Sequence, residues 1–234
     1  RVQRESDPRK GAAVSVVIEA CVDSVESSVV AERGGASRLE LCEHLEVGGT
    51  TPATSLIKAV KSAVNIPVFV MIRPRGGSYV HSAPEVDTMR ASIDASLAAG
   101  ADGVVFGLLT EEGDVDFALT HEFVARANGC PTTFHRAFDD TRNLGAALGA
   151  LLDAGISRVL TGGGPGRAID NVDTLRDLVL ESAGRVVIMA GGKVRGDNAR
   201  ALVEQSGVTE LHARCELDPD RIAGIVRELE GVTV

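Results

Sequence analysis

The sequence predicts an α/β chain closed into a single (β/α)8 barrel of the TIM type, with eight parallel strands, and three observations carry that reading. Short apolar runs alternate with longer segments of helical periodicity from residue 17 to residue 229 without a break. A glycine junction recurs, as Gly-Ala-Ser-Arg-Leu-Glu-Leu at Gly35, Gly-Ala-Asp-Gly-Val-Val-Phe at Gly100, Gly-Ile-Ser-Arg-Val-Leu-Thr at Gly155 and Gly-Val-Thr-Glu-Leu-His-Ala at Gly207. Its intervals of 65, 55 and 52 residues are about two strand-helix units each, so the turn introduces every second strand. Composition adds the third observation. The 234 residues are 44% hydrophobic but only 3% aromatic, with no Trp, which suits an aliphatic core of buried parallel strands and covering helices. An open doubly wound sheet is the alternative, and the double-unit period fits it less well.

Taken in order, residues 1–12 are charged and hold no long apolar run, so they are expected to form a flexible tail, not a secretory signal, ahead of a barrel domain at 13–234. The first strand ends at Cys21-Val22-Asp23, and Asp23 with Glu26 has the form of a capping box opening a helix that runs to Gly34-Gly35. The second strand is Arg38 to Cys42. Gly48-Gly49-Thr50-Thr51-Pro52 turns into a helix with Leu56, Ile57 and Val60 at helical spacing, and Ile66-Pro67 opens a third strand, Val68 to Arg73. Helices are then expected over 84–99, 115–128, 143–154, 167–182, 197–205 and 219–229. Between them lie strands over 103–107, 132–136, 158–161, 186–189 and 210–213.

Composition also excludes partners. A net charge of -9 argues against nucleic acid, and no run reaches the roughly 20 apolar residues of a membrane span. Four cysteines, at 21, 42, 130 and 215, are sparse and predict reduced thiols in the cytoplasm. Cys130 and Cys215 are expected to have no role.

Barrels of this kind place chemistry at the C-terminal ends of their strands. There the first two strands each carry Glu-x-Cys, and residues two apart share a face, so Glu19, Cys21, Glu40 and Cys42 are expected to converge on one pocket. With His135, His212, Met71 and Met189 on the same rim, the thiols form a soft-metal set suited to Cu(I) or Zn(II). Arg73, Arg75, Arg136 and Asp139 suggest another use, an acid-base site clamping an anion, for which a structural Arg–Glu lattice is the alternative. The glycine-rich loops Gly162-Gly163 and Gly191-Gly192-Lys193 read either as backbone cradles for an anion or as tight turns.

Further motifs carry a resemblance. Glu19-Ala20-Cys21-Val22-Asp23-Ser24-Val25-Glu26-Ser27, Leu39-Glu40-Leu41-Cys42, Gly48 to Pro52, Val70 to Gly77, Asp102 to Gly107, Thr133 to Asp139 and Arg158 to Thr161 together resemble the CutC copper-homeostasis family. That resemblance implies a mostly cytosolic (β/α)8 barrel forming homodimers or larger assemblies, with copper held by Cys21 and Cys42. The chain departs from the family pattern at Ala190-Gly191-Gly192-Lys193, at Leu211 to Cys215 around His212, and at Asp140. The expected function is cytosolic copper binding, Cu(I) held by barrel-mouth thiols with His135, Met71 or His212 as further ligands. The alternative is an enzyme acting on a small anionic or phosphorylated substrate, with no organic cofactor evident.

Overall fold

A computed structural model describes residues 16–232, and the expected tail lies outside the described residues. Eight parallel strands close in chain order: β1 Val17–Val22, β2 Arg38–Leu41, β3 Val68–Met71, β4 Gly103–Phe106, β5 Thr132–Phe134, β6 Arg158–Thr161, β7 Val187–Gly191 and β8 Glu210–Arg214. Eight helices cover them: α1 Val25–Arg33, α2 Thr54–Ala63, α3 Ala83–Ala98, α4 Phe117–Arg126, α5 Leu144–Ala154, α6 Val172–Ser182, α7 Gly196–Ser206 and α8 Pro219–Leu229. The alternation and its period therefore yield the barrel they predict.

The repeated junction has a conformational cause. Gly35, Gly100, Gly155 and Gly207 stand at φ of 93°, 99°, 79° and 75°, a left-handed turn between helix and strand that a Cβ would disfavour.

Several boundaries move. The cap of α1 is Ser24 paired with Ser27, not Asp23 with Glu26, because the Ser24 and Ser27 hydroxyls exchange bonds with each other's backbone N–H. β5 stops at Phe134, where the His135 side chain caps a 3-10 turn at Arg136–Asp140. β3 ends at Met71, before Arg73, whereas β7 runs on to Gly191. The helix expected over 167–182 divides into a 3-10 turn, Ala168–Asn171, and α6.

Register stacks the inward-facing residues in layers, each drawn from alternate strands. The deepest holds Arg38, Gly103, Arg158 and Glu210, and the next Glu19, Phe69, Thr133 and Met189. Above them lie Glu40, Val105, Leu160 and His212, then Cys21, Met71 and His135 toward the mouth. A Cβ on Gly103 would come within 2.8 Å of the Phe69 ring, so glycine there makes room for it. The aliphatic residues of the strands, such as Ile18, Ala20, Leu39 and Leu41, point the other way and pack against the helices as the main core. The barrel's own interior is largely polar.

Candidate functional site

The floor is an ion network. Glu19, wholly buried, accepts from Arg38 Nε and lies 2.8 Å from His212 Nδ1. Arg38 and Arg158 both donate to Glu210, Arg158 also donates to Thr133 Oγ1 at 3.4 Å, and both guanidinium groups lie over the Phe69 ring, at 5.0 and 5.5 Å. Burial works to raise the Glu19 pKa, but the hydrogen bond from His212 and the charge of Arg38 hold it at about 2. Burial likewise works against a charged His212, yet Glu40 and Glu19 keep its pKa well above the usual imidazole value.

An Arg–Glu lattice thus exists, but in the barrel's centre and built, apart from Glu19, from residues outside the predicted set. Arg38, Arg158 and Glu210 occupy the fourth position of the glycine junction, so the repeat that reveals the fold also carried their alignment.

Above the floor the two thiols meet. The Sγ atoms of Cys21 and Cys42 and a carboxylate oxygen of Glu40 all lie within 4.8 Å of one another, each residue buried. The Cys42 thiol beside it, then the His212 imidazolium, bring the Cys21 pKa down to about 5 against its burial. Cys42 is pushed well up by the neighbouring Cys21 sulfur and by burial. Glu40 is also pushed well up, by burial first and then by the charge on Cys21. At neutral pH the pair is therefore a thiolate at Cys21 beside a protonated thiol at Cys42, next to a carboxyl whose burial and thiolate neighbour favour its neutral form. Met71, Phe69 and Val105 form the apolar packing around it, and a Cβ on Gly49 would lie 3.1 Å from Cys42 Sγ. A second set, Glu19, Glu40 and His212, is equally close, but Glu19 and His212 are committed to each other and to Arg38.

The mouth opens into a cavity of about 630 Å³ lined by Cys21, Glu40, Met71, Arg73, Tyr79, His135, Arg136, Asp139, Lys193, Arg195, His212 and Arg214, among others. The predicted residues fare differently there. Arg73 is buried, its terminal nitrogens donating to the carbonyls of Val47, Gly49 and Gly77. Arg75 does not line the cavity: it is bound to both oxygens of Glu85 and to loop carbonyls at the start of α3, which removes it from the expected clamp. Arg136 pairs through Nε with Asp139 at 2.7 Å, and Asp139 also accepts the Thr161 hydroxyl and the Gly162 N–H. Gly163 N–H is taken by Thr161 Oγ1. The amides of Gly162 and Gly163 are thus spent on protein acceptors, and the cradle expected from them is filled by Asp139 and Thr161. Gly192 and Lys193 do face the cavity.

His135 Nδ1 accepts from Ala137 N–H at 3.1 Å, which puts the ring proton on Nε2. Burial and the charge of Arg73 bring its pKa down to about 3, so the imidazole is neutral. The four cysteines are free. Cys215 is buried, its sulfur 3.6 Å from the Ser27 carbonyl, and neither it nor Cys130 lines the cavity.

Comparison with known proteins decides the family. The family description CutC matches residues 16–216. The chain belongs to the CutC family. It is 46% identical over 220 residues to the copper homeostasis protein cutC homolog of Mus musculus, covering 94% of this chain and 80% of that protein. The Homo sapiens homolog is 46% identical over 217 residues, 93% and 79% of the two chains. A CutC crystal structure from Streptococcus agalactiae superposes with a TM-score of 0.81 at 29% identity, covering 87% of this chain and 100% of that one. A thiamine phosphate pyrophosphorylase from Pyrococcus furiosus, at TM-score 0.62 and 17% identity, covers 92% and 96% and shows a shared fold alone. In this CutC-family chain, no helix among the described residues is long and apolar enough to cross a membrane.

Proposed function

We propose that this CutC-family chain binds copper as Cu(I) between Cys21 and Cys42, with Glu40 beside them, and serves copper homeostasis in the cytoplasm. The observation that carries this reading is the convergence of two sulfurs and a carboxylate oxygen within 4.8 Å in a buried layer of the barrel. The donor chemistry fits the ion: thiolates favour Cu(I), and one thiol is already a thiolate at neutral pH. The His212 imidazolium offsets the negative charge that a second thiolate adds. Met71 belongs to the same buried cluster as both cysteines and is the candidate for an additional soft donor. His135 is less suited than the sequence suggests, because the lone pair on Nδ1 is used by Ala137 and Nε2 carries the proton. The assembly implied by the family resemblance is proposed likewise, as a homodimer or larger homo-oligomer that sedimentation velocity would detect.

The test is an anaerobic Cu(I) titration against a competing chelator. Wild type should bind tightly and stoichiometrically, and Cys21→Ser and Cys42→Ser should each weaken binding by on the order of 100-fold or more. Binding unchanged in both variants would overturn the two-thiol site.

A further inference from the structure

Three polar atoms in the mouth are buried without a partner among the described residues: Glu40 Oε1, Arg73 Nε and His135 Nε2. Their residues are 3%, 4% and 4% exposed, and all three line the same cavity. Buried polar atoms are rarely left unpaired, so three on one cavity mark a surface shaped for the polar atoms of a ligand. Arg73 Nε and His135 Nε2 both offer hydrogens. Tyr79 holds the two groups on one wall, with the Arg73 guanidinium 4.8 Å from its ring centroid and the His135 ring at 5.0 Å.

Positive charge stands at the rim. Arg136 is anchored through Nε to Asp139, and no acceptor among the described residues takes Nη1 or Nη2. Its fork lies across two loops, since a Cβ on Gly162 would come 3.3 Å from Nη2 and one on Gly192 3.9 Å from Nη1. Lys193, exposed and in a left-handed conformation at φ 57°, follows Gly192 on the cavity edge. Two cations from separate loops suit a dianion better than a single carboxylate, which one guanidinium fork already satisfies.

We propose that the cavity binds a small phosphorylated carbonyl or hydroxy compound, with its phosphate at Arg136 and Lys193 and its uncharged oxygen at His135 Nε2–H and Arg73 Nε–H. Glu40 Oε1 meets a hydroxyl of the same ligand. The volume, about 630 Å³, lies in the usual range for such pockets. A neutral imidazole N–H at a carbonyl oxygen also polarises it, the role an electrophilic histidine takes in proton-transfer enzymes. The site shares Glu40 with the proposed copper site, but its anion-binding residues lie outside the two-thiol group.

Calorimetric titration of the copper-free, reduced protein with inorganic phosphate and with dihydroxyacetone phosphate tests this. Both should bind saturably, the second at least about tenfold more tightly. Arg136→Gln and Lys193→Gln, whose side chains reach solvent, should keep the fold and each weaken both probes about tenfold or more. His135→Gln should abolish the preference for dihydroxyacetone phosphate over phosphate, and in wild type the His135 Nε2 resonance should move when that compound is added. Absence of saturable binding by either probe, or affinities unchanged in Arg136→Gln and Lys193→Gln, would overturn the site. Equal affinities for the two probes would overturn the placement of the carbonyl. Arg136→Gln should bind Cu(I) as wild type does, so loss of this proposal leaves the copper titration to stand or fall on its own.

Discussion

Glu19 and Glu40 reach into the barrel from neighbouring strands, yet their pKa values are shifted in opposite directions because their partners differ. Glu19 accepts from Arg38 and His212, whereas Glu40 has Cys42 Sγ at 3.6 Å, His212 Nε2 at 3.8 Å and one oxygen with no partner among the described residues. Replacing Glu19 by Gln removes the carboxylate that Arg38 and His212 share, leaving Arg38 paired with Glu210 alone, and should cost about 3 kcal/mol in urea unfolding at pH 7. Glu40 behaves the other way. Its folded pKa is raised above the unfolded value of 4.5, so its contribution is fully present below that value and is lost as pH rises through the folded pKa. Glu40→Gln should therefore match wild type near pH 4 and exceed it by on the order of 1 kcal/mol at pH 7, the mark of a residue kept for a site at the expense of stability. Equal stability of the two proteins at both pH values would contradict that assignment.

Two glycines of the same repeated junction family separate two reasons for being glycine. Gly155 caps α5 at φ 79° with the nearest side-chain atom, Val124 Cγ1, 3.8 Å from where a Cβ would stand, so Gly155→Ala should lose about 1 kcal/mol through conformation alone. Gly103 begins β4 inside the barrel, where a Cβ would meet Pro131 O at 2.7 Å and the Phe69 ring at 2.8 Å. Gly103→Ala should cost about 2–3 kcal/mol and disturb the ring beneath Arg38 and Arg158. Chemical denaturation of both variants checks the order; a larger loss at Gly155 would mean that Phe69 is not fixed as described.

Across the whole barrel, the polar interior links stability to pH from both sides. Glu19 falls from 4.5 in the unfolded chain to about 2, so its contribution is present above pH 4.5 and is lost as pH drops toward 2. His212 is raised well above 6.5, so its contribution is fully present below that value and is lost only as pH climbs through the raised pKa. Taken together, the pair supports a stable range from about pH 4.5 to beyond 6.5, with an acid limb that Glu19→Gln should largely remove. Thermal unfolding followed from pH 2 to 9 in both proteins measures this, and an identical acid limb in the variant would rule out Glu19 as its source.

The alternation of apolar runs and the glycine junctions were readable because they are local: a left-handed turn needs glycine wherever it occurs, and side-chain direction follows from the strand's period of two. That period also placed Cys21 and Glu19, and Cys42 and Glu40, on common faces. What the chain order could not show is which distant groups meet across a closed barrel. Arg38, Arg158 and Glu210 share a position in the repeated junction, but that they pair with one another and with Glu19 follows only from closure of the barrel. The fates of Arg75 and Arg136 were equally hidden, since one guanidinium is consumed by Glu85 and the other keeps its fork turned to the mouth. Local conformation is written residue by residue, whereas the charge state and availability of a buried group depend on the partners that closure brings to it.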